Sequence, residues 1–169
     1  MNRLPLRDEI PYRFFPPRVS PFWVRASRLF IKYLLRRLER VRGIEFVGVE
    51  HLASLLGRGD GILIAPNHPD LADCGVIFEL GRRVKRPFCY MAAYQIFSGG
   101  AGLKRFILPR LGVFPVDREG ADRKAYASGV DVLLEGKNPL VIFPEGEVYH
   151  LADRLTPIRE GAAALAVTA

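Results

Sequence analysis

The sequence is poor in cysteine and histidine and has no long apolar run. Its 169 residues include two cysteines and three histidines. Cys74 and Cys89 lack metal-ligand spacing, and each lies in or beside an apolar run, so we expect buried, reduced thiols and no metal site. No stretch approaches the ~20 apolar residues that span a bilayer, and the N-terminus lacks the apolar core of a signal peptide. We therefore expect a cytoplasmic protein, peripheral where it meets a membrane.

Basic residues outnumber acidic ones. Twenty-five Lys and Arg against eighteen Asp and Glu give a formal charge of +7. This excess favours an anionic partner, which is nucleic acid, an anionic membrane surface or a phosphorylated substrate. We expect no nucleic-acid partner, because the chain has no recognised nucleic-acid motif and its aromatic residues lie mostly in apolar runs. The length and the 49% hydrophobic content are sufficient for one sizeable core.

The N-terminal part divides into two segments. Residues 1–21 hold five prolines among four arginines, which predicts an extended basic arm, because proline disfavours helices and inner strands. In residues 22–42, apolar residues recur at helical spacing, which predicts a basic amphipathic helix. The side opposite the apolar residues is predicted to hold the cations Arg25, Arg28, Lys32, Arg36 and Arg40. The apolar face, with Trp23 near its start, suits either a lipid headgroup layer or the protein's own core, and both interpretations stay open.

Beyond residue 42, apolar strands alternate with helical segments. The strands are predicted at residues 44–49, 61–65, 88–92, 113–116 and 140–143. The helices are predicted at residues 50–56, 70–82, 103–111, 121–135 and 159–167. This alternation predicts an α/β domain over residues 43–169, with a largely parallel central sheet flanked by helices. The last helix stops without a cap or breaker, so we expect the domain to be truncated at its C-terminus.

Three polar blocks follow apolar strands. They are residues 67–73, 112–118 and 143–147. Ligands of open α/β sheets bind beyond the carboxyl ends of the strands. The three blocks are therefore predicted to form one site.

The first block contains a His and an Asp five positions apart. Five steps of α-helix would turn Asp73 ~140° away from His68, so the two side chains meet only if the chain departs from helix between them. Pro69 favours that departure, because a residue before proline is steered away from helical angles. In contact, Asp73 would fix the imidazole tautomer and leave the other ring nitrogen to accept a proton from a hydroxyl. This chemistry requires no Ser or Cys nucleophile.

The other two blocks contain a cation and a carboxylate. The planar guanidinium group of Arg118 suits a phosphate, although it could equally pair with a neighbouring acidic residue. Glu145 and Gly146 place a carboxylate and an accessible backbone at another strand end, although they could equally form a plain turn. His51 and His150 have no partnered motif, and we interpret them as ordinary histidines.

Together the blocks resemble the glycerolipid acyltransferase family that includes the 1-acylglycerol-3-phosphate acyltransferases, from about residue 48 to residue 166. The resemblance implies that His68, in a His-X4-Asp motif, is the general base and that Asp73 orients it. The residues implied to contact the acceptor are Asn67, Arg118, Glu145 and Gly146. The implied reaction is O-acyl transfer from acyl-CoA or acyl-carrier protein to a glycerolipid or lysophospholipid hydroxyl, without a covalent intermediate. No metal or other cofactor is implied.

Three features depart from the family pattern. Residues 147–149 read Glu-Val-Tyr where the family commonly has Thr-Arg-Ser, so a second phosphate-binding cation is absent from this block. Residues 94–96 read Tyr-Gln-Ile where the family often has Lys-Glu-Leu, and the sequence ends before the family's fourth block. Glu147 and the missing fourth block support an alternative, a non-catalytic lipid-binding protein of the same fold at the membrane surface.

Overall fold

The computed structural model of the protein describes residues 11–98, 102–148, 150 and 157–169. The α-helices in these ranges are α1 (Pro21–Tyr33), α2 (Val49–Arg58), α3 (Asp73–Arg83), α4 (Leu103–Arg110), α5 (Arg123–Glu135) and α6 (Gly161–Thr168). The strands are β1 (Leu63–Ile64), β2 (Cys89–Ala93), β3 (Val113–Val116) and β4 (Leu140–Val141). A π-helix follows α1 at Leu34–Leu38, and a 3₁₀-helix follows β2 at Tyr94–Phe97. The predicted α/β class is confirmed.

The four strands form one parallel sheet. Their order is β1-β4-β2-β3, and the pairs β1 with β4, β4 with β2 and β2 with β3 are all parallel. The carboxyl ends of all four strands therefore lie at the same edge of the sheet, as the placement of the three polar blocks requires.

Helices cover both faces of the sheet. On one face, Phe114 and Leu140 pack with α5 and with Leu165 of α6. On the other, Tyr90 and Val141 pack with residues of α2 and α3. Neighbouring residues of a strand point to opposite faces, so the short apolar runs supply both layers of the core. This arrangement explains why the strands read as continuous apolar runs and not as alternating ones.

The predicted amphipathic helix is confirmed, with a change of winding near its end. Pro21 occupies the first turn of α1, where its fixed φ suits helix initiation. After Tyr33 the chain continues as a π-helix, in which Leu35 is buried. Leu35 packs on Gly75 of α3 so closely that a Cβ on Gly75 would lie 2.8 Å from Leu35 Cδ2. The change of winding thus accompanies close contact between the N-terminal helix and the α/β body.

The described part of the predicted arm, residues 11–20, has no regular secondary structure and lies against the body of the protein. The hydroxyl of Tyr12 donates to Asp122, and Phe15 stacks on Phe97. The backbone N–H of Arg18 donates to the carbonyl of Pro109 at 2.8 Å. The remainder of the predicted arm, residues 1–10, lies outside the described residues.

Two predictions are wrong. The first is the strand predicted at residues 44–49, because residues 44–46 have no regular structure and the chain enters α2 at Val49 after Gly48 takes a left-handed φ of +73°. The apolar residues of this segment have no strand partner, and a strand requires one. Cys74 is exposed and not buried, whereas Cys89 is buried as expected. Within the described ranges, no helix has both the length and the apolar character that crossing a bilayer requires.

Candidate active site

A non-helical turn brings His68 and Asp73 together. β1 ends at Ile64, and α3 begins only at Asp73. Nδ1 of His68 lies 3.0 Å from Oδ2 of Asp73, and the same oxygen accepts the backbone N–H of Asp70 at 2.9 Å. A carboxylate in its ionised form only accepts hydrogen bonds, so this contact suits the imidazole tautomer that has its proton on Nδ1. The departure from helix that the sequence requires is therefore present.

Two residues of the third block, Phe143 and Glu145, also contact His68. The Phe143 ring stacks on the imidazole, with 4.0 Å between centroids and 24° between planes. Oε1 of Glu145 accepts the backbone N–H of His68 at 2.8 Å, and Glu145 is only 5% exposed. The side chain of His68 is 12% exposed. The His68 ring is thus held by the hydrogen bond between Nδ1 and Asp73 and by stacking on the Phe143 ring.

The cation of the second block lies against the glycine of the third. Nη1 of Arg118 donates to the carbonyl oxygen of Gly146. Gly146 has a φ of +78°, and a Cβ there would lie 2.6 Å from Nε of Arg159. This position therefore requires glycine both for its backbone angles and for the close approach of a side chain.

Arg159, from the segment before α6, reaches the same place. Its Nη1 donates to the carbonyl oxygen of Arg118 at 3.0 Å, and its backbone N–H donates to the carbonyl oxygen of Pro144 at 2.9 Å. Two guanidinium groups therefore meet around Gly146.

These groups border an open, largely apolar cavity of about 1550 Å³. Helices α1, α3 and α4 supply part of its apolar lining, and His68, Arg118 and Arg159 lie at its polar part. Apolar lining residues from these helices include Trp23, Phe30, Ile31, Phe78, Ile107 and Leu108. The arrangement can hold a long apolar chain with a polar end beside an imidazole base.

The two thiols of the chain, of which only Cys74 lines the cavity, are poor nucleophiles at neutral pH. Cys74 opens onto the cavity, where desolvation by the surrounding protein, and then the carboxylate of Asp73, raise the pKa of its thiol to about 11. Burial raises the pKa of Cys89 to about 12, and burial also raises the pKa of Tyr90, another cavity residue. The described residues hold no group of three His, Cys, Asp or Glu side chains that could bind a metal ion.

The predicted site residues divide into two groups. His68, Arg118 and Gly146 line the cavity, whereas Asn67, Asp73 and Glu145 do not. Asp73 and Glu145 both bond to His68, and Asn67 is exposed on the same turn.

Phe143 and Arg159 were not among the predicted site residues. Phe143 directly precedes the Pro-Glu-Gly of the third block, which is a usable signal. Arg159 stands thirteen positions after Gly146, too far along the chain for the block pattern to indicate it.

Comparison with known proteins agrees with this geometry. The family model described as Acyltransferase matches residues 43–169, which include all three blocks. No curated protein and no solved structure shows a match to the chain. Because the family model spans most of the chain, the protein belongs to the acyltransferase family of 1-acylglycerol-3-phosphate acyltransferase-like proteins.

Proposed function

We propose that the protein transfers a fatty acyl group from acyl-CoA or acyl-carrier protein to a hydroxyl of a glycerolipid or lysophospholipid acceptor. His68 is the general base in this proposal, and Asp73 orients it. The observation that carries the proposal is the 3.0 Å contact between Nδ1 of His68 and Asp73 at the polar part of a large apolar cavity. No cofactor takes part, and the thioester is a co-substrate.

The reaction follows from the state of the imidazole. With its Nδ1 proton shared with Asp73, His68 accepts the proton of the acceptor hydroxyl at Nε2 as the hydroxyl oxygen attacks the thioester carbonyl carbon. The carbon–sulfur bond then breaks, and the leaving thiolate takes the proton from the imidazolium. The Asp73 carboxylate stabilises the imidazolium while it exists. The products are an ester and a free thiol, and no group on the protein is acylated.

The acceptor and the acyl chain would occupy different parts of the cavity. Arg118 and the backbone at Gly146 suit the polar end of the acceptor, because an arginine fork matches phosphate geometry. The apolar walls from α1, α3 and α4 suit an acyl chain. Glu145 supports the site indirectly in this proposal, because it bonds to the backbone of His68 and does not line the cavity.

We further propose that α1 attaches the protein to the cytoplasmic face of an anionic membrane. The side chains of Phe22, Leu29 and Tyr33 are between 57% and 78% exposed, and at ~100° per residue they form one stripe of the helix. The cations Arg25 and Arg28 are exposed beside that stripe. Exposed apolar side chains next to cations suit the headgroup region of anionic lipid.

The cavity would then open toward lipid. Leu71, Leu103 and Phe30 line the cavity and are also exposed, at 62%, 59% and 62%. An apolar rim of this kind lets an acyl chain pass between the bilayer and the site without crossing water.

The test is thioester consumption by the full chain with acyl-CoA or acyl-carrier protein and a panel of lysophospholipids in vesicles. His68→Ala is expected to lower kcat by about 10²- to 10⁴-fold, the range of general base catalysis. His51→Ala is the matched control, because the side chain of His51 is 85% exposed on α2, away from the cavity. Equal activity of His68→Ala and the unaltered protein would refute the mechanism, and lipid binding without any transfer would favour the non-catalytic alternative.

A further inference from the structure

The turn that contains Arg118 is closed by the side chain of Asp122. Residues 117–122 connect β3 to α5. Oδ1 of Asp122 accepts the backbone N–H of Ala125 at 3.0 Å and so caps α5. Oδ2 accepts the backbone N–H of Asp117 at 3.0 Å. One carboxylate therefore joins the start of this turn to the first residues of the helix that follows it.

A residue of the N-terminal arm bonds to the same carboxylate. The hydroxyl of Tyr12 donates to Oδ2 of Asp122, the atom that also accepts the N–H of Asp117. Tyr12 and Asp122 are 110 positions apart in the chain. The Tyr12 ring meets the Tyr94 ring edge-on, with 5.4 Å between centroids. Burial, and then the hydrogen bond to Asp122, raise the pKa of Tyr12, so its hydroxyl keeps the proton that it donates.

The arm holds Tyr12 at this position by further contacts along the sheet. β3 is the last strand in the order of the described sheet. Phe14 and Val19 pack against the core cluster on the α5 face. The backbone N–H of Ser20 donates to the carbonyl oxygen of Arg110 at 2.9 Å, shortly before β3 begins. The arm is thus anchored near both ends of β3, and Tyr12 is not the tip of a loose tail.

The position of this turn bears directly on the site. Asp117, Arg118 and Asp122 line the cavity, whereas Tyr12 does not. A displacement of the turn would move the guanidinium of Arg118 relative to His68, which is held by its own contacts with Asp73 and the third block. Tyr12 can therefore affect the acceptor end of the site without touching a substrate.

We propose that Tyr12 is a positioning residue, which acts through Asp122 to hold the turn of residues 117–122 and thereby Arg118. This inference rests on the proposed acyl transfer and assigns the N-terminal arm a part in it. The arm then supports the acceptor end of the site, and this role is separate from its positive charge.

Hydrogen exchange of the full chain, followed by mass spectrometry, tests the contact without turnover. Tyr12→Phe removes the hydroxyl and keeps the ring on Tyr94. We expect the amides of residues 117–122 to exchange about tenfold faster, as expected for the loss of one hydrogen bond to a charged group. Thr168→Val is the control, because it also removes one hydroxyl hydrogen bond, to Ala164 at 2.8 Å, from a residue that does not line the cavity.

A double-mutant cycle tests the route through Asp122. Asp122→Asn keeps the cap on α5, because asparagine caps helices about as well as aspartate, but its amide nitrogen accepts no hydrogen bond. In the Asp122→Asn background, Tyr12→Phe should change the exchange of the turn by less than about twofold. Fully additive effects of the two substitutions would show that Tyr12 does not act through Asp122.

Kinetics distinguish a positioning role from a purely structural one. With palmitoyl-CoA as donor and lysophosphatidate as acceptor, Tyr12→Phe is expected to raise the KM of the acceptor about fivefold or more. The value of kcat and the KM of palmitoyl-CoA should stay within about twofold, because the contacts of His68 are intact. Thr168→Val should change none of these constants.

The outcomes separate the two proposals. Unchanged exchange of the turn in Tyr12→Phe would overturn the role of Tyr12 whether or not the protein is active. Faster exchange with an unchanged acceptor KM would overturn the link between the arm and the acceptor. If the turn exchanges faster and the unaltered protein acylates no acceptor, the hold of Tyr12 on the turn stands and the proposed acyl transfer fails.

Discussion

Oε1 of Glu145 accepts a hydrogen bond from the backbone N–H of His68 at 2.8 Å. The two residues are 77 positions apart in the chain and follow different strands of the sheet. Glu145 is only 5% exposed, so its carboxylate joins the third block to the first. The resemblance alone implies that Glu145 contacts the acceptor. In the structure, Glu145 bonds to the backbone of His68 and does not line the cavity.

Loss of the hydrogen-bond acceptor at Glu145 should therefore lower kcat and leave acceptor binding nearly unaltered. Glu145→Gln retains an oxygen that can accept the His68 N–H and should keep most of the activity. Glu145→Leu removes the acceptor; leaving a buried N–H without a partner costs about 1–3 kcal/mol of the free energy of unfolding. We expect kcat to fall at least about tenfold in Glu145→Leu with KM nearly constant, because a displaced base acts on a normally bound acceptor. A raised KM in Glu145→Gln, with kcat intact, would indicate direct contact with the acceptor instead.

Asp73 should matter for charge as well as for position. Asp73→Asn keeps the size of the side chain but removes the negative charge that stabilises the imidazolium. We expect kcat to fall by about 10²-fold or more, while melting temperature and KM change little. Asp60→Asn, at a surface ion pair with Arg58, is the matched control. Wild-type turnover by Asp73→Asn would remove Asp73 from the mechanism.

Much of the fold follows from the sequence, because its signals are local. The run at residues 113–116 is bounded by Gly112 and by polar residues, and β3 spans Val113–Val116 as predicted. Gly112 has a φ of +88°, and a Cβ there would lie 2.5 Å from the carbonyl oxygen of Phe88, so this glycine is required just where the strand begins. The segment at residues 44–46, Ile-Glu-Phe, also contains apolar residues, but whether such a segment becomes a strand depends on a partner elsewhere in the chain.

Like the fold, the site could be predicted from the sequence only where its contacts are local. His68 and Asp73 are close in the chain, so their contact could be deduced from a turn and a proline. The contacts of Glu145 with His68 and of Arg159 with Arg118 join residues 77 and 41 positions apart. These contacts depend on which strands are neighbours in the sheet, and β1 pairs with β4 rather than with the next strand in sequence. Spacing along the chain carries no information of that kind.

Cys74 offers a probe of the cavity that is independent of activity. Desolvation and then the carboxylate of Asp73 raise the pKa of this thiol to about 11, which leaves less thiolate at pH 8 than an unperturbed thiol would have. Because the thiolate is the reactive form, alkylation by iodoacetamide should be slow at pH 8 and increase steadily as the pH rises toward 11. A long-chain acyl-CoA in the cavity should slow it further. Mass spectrometry of the Cys74 peptide measures both effects, with the buried Cys89 as an internal reference; fast alkylation at pH 7, or no protection by ligand, would contradict the described surroundings of this thiol.

The exposed stripe of α1 makes a separate prediction about membranes. Near an anionic surface, each Lys or Arg contributes ~1 kcal/mol of binding, so the double variant Arg25→Gln/Arg28→Gln should bind phosphatidylserine vesicles about 30-fold more weakly than the unaltered protein. Leu29→Ser, at a side chain that is 78% exposed, should weaken binding to neutral and anionic vesicles alike, because it removes apolar contact and not charge. The control is Arg82→Gln/Arg83→Gln, which removes two exposed charges from the end of α3. Vesicle co-sedimentation at several salt concentrations measures all three variants, and an equal loss in both double variants would mean that net charge, and not α1, attracts the protein to the surface.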